Sequence, residues 1–82
     1  MTSLTICIDG RQYASAKALH LALKMLLDLP EHYGCNADAL HDCLSERRTP
    51  VNLVVLNDGA GEVAEAMRKV KRVFEDCGGS VK

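Results

Sequence analysis

The chain has 82 residues, 48% of them apolar and 26% charged, with a formal net charge of −1. That length builds one small domain over 1–82 with a modest core; the apolar content excludes a disordered chain. The near-zero charge excludes a globally basic nucleic-acid binder, and no apolar run reaches the roughly 20 residues that span a membrane.

Leu4, Ile6 and Ile8 alternate with Thr5 and Cys7, the period-two pattern of a strand. Asp9-Gly10 ends it with a turn. The amino terminus, Met1-Thr2-Ser3-Leu4, shows no basic region followed by an apolar core, so no signal peptide is read. Ser15 is an N-cap for a helix reaching about Asp28, with Leu19, Leu23, Leu26 and Leu27 as its core stripe. Pro30 stops that helix near Leu29. A loop from Pro30 to Cys35 follows, in which Gly34 is available for a left-handed turn. Asn36 caps a second helix ending near Glu46.

Pro50 precedes Val51–Leu56, a mostly continuous β-branched run that reads as a strand buried on both faces. The linker Asn57–Gly61 leads to a helix on which Val63, Met67, Val70, Phe74 and Cys77 recur at helical spacing. Gly78 is its C′ residue. Strand and helix alternation gives an α/β domain with a short parallel sheet and right-handed crossovers: two clear strands, a third truncated or very short, and three helices in two or three layers. Four cysteines, Cys7, Cys35, Cys43 and Cys77, read as reduced thiols in a cytoplasmic compartment. Cys35 is the one expected to be exposed.

The second helix carries the functional signal. At about 100° per residue, Asp38, His41, Asp42 and Ser45 share one face and Leu40, Cys43 and Leu44 the other. Asp28 falls outside the acidic face. Two carboxylates four apart repel each other and do not stabilise a helix. An isolated acidic pair is usually a solvated face; a pair kept together can also meet a cationic partner.

The stretch from Leu29 to Leu44 reads L-P-E-x-Y-G-x-N-x-D-A-L-x-D-C-L, and this resembles the barstar family, intracellular inhibitors of secreted bacterial ribonucleases. Ile8-Asp9-Gly10, Leu19-His20 and Leu23 fall at the family's spacing without a gap. The second half resembles the family only in its order of elements. The resemblance implies a third parallel strand after the last helix, and a short helix before it for which Asn57–Gly61 leaves no room. It also implies a monomeric, non-catalytic, antitoxin-like inhibitor of a barnase-like, guanyl-specific ribonuclease, with Asp38 and Asp42 standing where substrate phosphate would lie. Carboxylates accept the same charge-assisted hydrogen bonds as phosphate. Gly34, Asn36, Ala37, Ser45 and Glu46 carry over as further contacts. His32 and His41 stand where the family has Tyr and Trp, and Ser45–Thr49 lacks a second interfacial Trp. These departures imply an interface fitted to a different ribonuclease. Arg47 and Arg48 would oppose a basic partner.

Other chemistries are weaker. His41 and Cys43 diverge on their helix, so zinc at His32, Cys35, His41 and Cys43 is not expected. No nucleophile motif surrounds the cysteines, and Asp58-Gly59-Ala60-Gly61 lacks a complete nucleotide-loop glycine pattern. Arg68, Lys69, Lys71 and Arg72 read as a solvated helix face. The competing function is a regulatory, non-inhibitory interaction module on the same fold; an apolar groove in its partner would favour it.

Overall fold

In the computed structural model of the protein, residues 4–82 are described; the reading of Met1-Thr2-Ser3 lies outside the described residues. The elements follow the expected order. Strand β1 spans Leu4–Asp9 and a 3-10 turn Gly10–Gln12, then come helix α1 (Ala16–Leu27), helix α2 (Ala37–Ser45), strand β2 (Val51–Asn57) and helix α3 (Gly61–Asp76). β1 and β2 pair in parallel, Leu4 opposite Val51 through Ile8 opposite Val55. The chain is therefore α/β, with three helices on a parallel sheet.

The third strand is a stub. Val81 bridges Leu53 in parallel. The Val55 N–H donates to the Lys82 carbonyl (2.9 Å), and the Leu53 N–H to that of Ser80 (2.8 Å). β2 thus lies between β1 and the tail. Gly79 makes that approach possible: a Cβ there would drive into the Val51 carbonyl. Gly78 adopts φ 89°. The Gly79 N–H reaches Phe74 O and the Gly78 N–H reaches Glu75 O, a Schellman turn that satisfies the last carbonyls of α3.

The expectation of a strand buried on both faces is wrong for β2. Val51 and Leu53 are buried, but Asn52 and Val54 are only partly covered and Leu56 is 64% exposed. The cause is topological. Successive right-handed crossovers that step across a sheet in one direction place every helix on the same side. Helices therefore cover only the face of Ile6, Ile8, Val51 and Leu53, leaving two layers. Leu56 follows Asn52 and Val54 on the uncovered face by strand alternation, and a bulge after Ile8 leaves it without a partner in the register. Cys7 lies on the uncovered face and is the exposed thiol, whereas Cys35 is half-buried; the expected order is reversed.

On α1, Ser15 caps as expected, its Oγ accepting from the Ala18 N–H at 3.1 Å. Leu19, Leu23 and Leu27 are buried, but Leu26 is 48% exposed, and His20 takes a place in the core. On α3, Val73 joins Val63, Met67, Val70 and Phe74 in the core, and Cys77 is half-buried. Among the described residues, no helix is long and apolar enough to cross a membrane.

Candidate functional site

The loop that leads into α2 is pinned at both ends. Its Tyr33 is buried, with Oη 2.7 Å from Nδ1 of His20 on α1. Burial pushes the tyrosine hydroxyl well above its ordinary range and holds the His20 imidazole below its own. Both shifts favour a neutral pair, joined by a hydrogen bond between the hydroxyl and Nδ1. The left-handed residue of the loop is Cys35, at φ 53°, not Gly34. Gly34 lies close to the helix start instead, where a Cβ would come 3.2 Å from Asn36 Nδ2. Asn36 Oδ1 accepts the Ala39 N–H at 2.8 Å, and its Nδ2 donates to the Gly34 carbonyl at 3.2 Å. Loop and helix start form one hydrogen-bonded unit.

Leu40 and Leu44 anchor α2 in the core. Asp38, His41, Asp42 and Ser45 are all exposed on its other side, as the helical wheel requires. The Ser45 Oγ donates to the Asp42 carbonyl at 2.9 Å, so that hydroxyl is used within the helix. The nine expected contact residues fall along this ridge and into two grooves beside it. One groove, about 450 Å³, lies between α2 and α3. Asn36, Ala37, Asp38 and His41 face it from α2, and Lys69, Arg72 and Asp76 from α3. The other, about 590 Å³, lies between α2 and the loop. It holds His32, Gly34, Asp42 and Glu46, together with Asp28 and Arg47. Ser45 lines neither groove.

The second groove is the acidic one. Asp28 belongs to it, contrary to the sequence reading, because α1 ends in a Schellman turn. The Leu29 N–H reaches Lys24 O at 2.9 Å, with Asp28 at φ 52°. Glycine is the usual residue there. Arg47 is exposed and lines the same groove. Its guanidinium donates to the Leu27 carbonyl at 3.1 Å and closes the end of α1. Three carboxylates, of Asp28, Asp42 and Glu46, therefore face the groove beside one guanidinium that keeps its charge.

The two central aspartates are not equivalent. Asp38 lies in the first turn of α2, where the helix dipole welcomes a negative charge. Asp42 lies in the last turn and Glu46 caps the helix, with no basic residue in that turn. Negative charge there opposes the dipole by about 0.3–1 kcal/mol per group. The helix dipole favours Asp38 where it stands and opposes Asp42 and Glu46. Asp76, Lys69 and Arg72 escaped the sequence reading as site residues, because only the packing of α3 beside α2 brings them to the ridge. Among the described residues, no three His, Cys, Asp or Glu side chains gather to hold a metal ion.

The chain matches the family model described as Barstar (barnase inhibitor) over residues 4–81, so the likeness extends through the second half as well. It is also 47% identical over 53 residues to the Bacillus subtilis (strain 168) protein named "Putative ribonuclease inhibitor YrdF". That match spans 63% of this chain and 58% of the relative's length.

Proposed function

The chain belongs to the barstar family, and we propose that it inhibits a barnase-like, guanyl-specific ribonuclease by seating the acidic end of α2 in the enzyme's active site. The observation that carries this reading is the placement of Asp42 and Glu46 at the wrong end of their helix, beside Asp28. Their charge opposes the helix dipole in the free chain and is complemented by a cationic surface. A ribonuclease active site, which binds phosphate with basic donors, is such a surface. Asp42 then accepts charge-assisted hydrogen bonds, with Asp38, Glu46 and Asp28 around it. His32 and His41 offer flat rings in place of larger aromatics, while Gly34, Asn36, Ala37 and Ser45 fill the rim.

In this reading residues 1–82 form one domain that acts as a monomer in the cytoplasm. It blocks access and carries out no chemistry, and it needs no cofactor and touches no nucleic acid. The test is inhibition of a barnase-like ribonuclease by the native chain and by Asp42→Asn. Removing one member of a buried charge pair costs about 3–5 kcal/mol, so inhibition should weaken by roughly a hundredfold or more. The free variant should at the same time be slightly more stable than the native chain. Equal inhibition by both chains would remove Asp42 from the interface. Absence of inhibition, with stoichiometric binding of some other protein, would favour the non-inhibitory interaction module.

A further inference from the structure

Two of the four basic residues between Arg68 and Arg72 are engaged within the fold. Arg68 pairs with Glu65, and Lys71 with Asp58. Lys69 and Arg72 have no carboxylate within ion-pair distance among the described residues. They are three apart, so they share one face of α3. Both are exposed, and both line the groove across from Asp38. Lys69 also lines a neighbouring groove with Asn36, Ala37, Glu62 and Glu65, which places it beside the start of α2, where the helix dipole is positive. Asp76 is at the other end, next to Cys77, whose Sγ contacts the His41 carbonyl. One side of the α2 ridge is therefore acidic, and the other is a mosaic in which Lys69 and Arg72 stand among Asp38, Asp76 and Glu65.

We propose that Lys69 and Arg72 select the partner: the protein that docks on α2 carries a carboxylate-bearing rim beside its basic centre, and these two side chains meet that rim. The proposal rests on the docking role given to α2 above. The physical reason is complementarity. A uniformly basic partner laid over Asp42 would bring its own cations against Lys69 and Arg72, and like charges at an interface reject the partner that brings them. A partner with an acidic group there meets opposite charge on both sides of the ridge. The same two cations in a merely solvated face would have no preference between such partners.

The test has two arms. In the first, the isotope-labelled native chain is titrated at low salt with end-blocked tetraglutamate and, separately, tetra-arginine, and amide shifts are mapped. Tetraglutamate should shift amides around Lys69 and Arg72, and tetra-arginine those around Asp28, Asp42 and Glu46. Lys69→Glu/Arg72→Glu should abolish the first response and keep the second. Absence of the tetraglutamate response, or its survival in the double variant, overturns the proposal with no ribonuclease involved. In the second arm, the same double variant is assayed on a barnase-like ribonuclease that the native chain inhibits. Weakening by about tenfold or more is expected, with Lys17→Glu/Lys82→Glu, two exposed cations outside both grooves, as the control that makes the same change in net charge. Unchanged or stronger inhibition overturns the proposal and leaves the inhibitor reading intact; if no ribonuclease is inhibited, the inhibitor reading fails and the peptide arm alone decides.

Discussion

Tyr33→Phe removes one oxygen and keeps the ring that fills the core beneath the loop leading into α2. Tyr33 is 7% exposed and His20 4%, so water cannot replace the lost hydroxyl without opening the core. The variant strands Nδ1 of His20, and an unsatisfied buried polar group costs about 1–3 kcal/mol. A chain of this length has roughly 4–12 kcal/mol of stability to lose from. In urea, with a slope of about 1 kcal/mol/M for so small a domain, the unfolding midpoint should fall by roughly 1–3 M. His20→Leu/Tyr33→Phe removes both polar partners and should recover most of that loss. A pH series separates the two groups further. Burial holds folded His20 below its ordinary value of 6.5, so the unfolded chain takes up a proton at a pH where the native chain does not. Protons then favour unfolding. The stability due to neutral His20 is full above about pH 7 and declines as pH falls below 6.5, by up to about 1.4 kcal/mol per pH unit. The double variant should lack that component. A Tyr33→Phe midpoint equal to the native one, or an acid slope unchanged in the double variant, would refute the buried neutral pair.

Two further outcomes follow from the backbone. Gly79→Ala puts a methyl group into the Val51 carbonyl, so the tail must leave β2; hydrogen exchange at the Leu53 and Val55 amides should accelerate sharply, and native protection there would contradict the ladder. Asn36→Ala deletes the cap of α2 and should destabilise the chain by about 0.5–2 kcal/mol in chemical denaturation, with Asn36→Ser milder because serine can also cap.

The sequence was most readable where one local rule decided the outcome. Ser15 and Asn36 are caps whose chemistry is in their own side chains. The exposed face of α2 follows from its period, because Leu40 and Leu44 leave it no other way to turn. The bare face of the sheet was not readable. Val54 and Leu56 look like core residues in a β-branched run, and only strand order decides which faces are covered. His20 was hidden for a related reason: a polar residue gives no sign of burial until a partner thirteen positions away supplies its hydrogen bond. The same holds for the site. Its ridge could be read from one helix, but the acidic groove needs the left-handed end of α1, and the mosaic groove needs α3. Both are products of packing, which spacing along the chain does not encode.

The ridge is carried by only nine residues, Ala37–Ser45. Isolated helices shorter than about 12 residues are marginal in water, and this one has two acidic groups at its carboxyl end. What holds it together is Leu40 and Leu44 in the core, and a loop fastened to α1 through Tyr33. The acidic ridge is therefore not portable. A synthetic peptide of this segment would carry every carboxylate of the ridge and lack its shape, and a mimic would need the clamp on the loop and a scaffold under the leucines before it could compete with the folded chain.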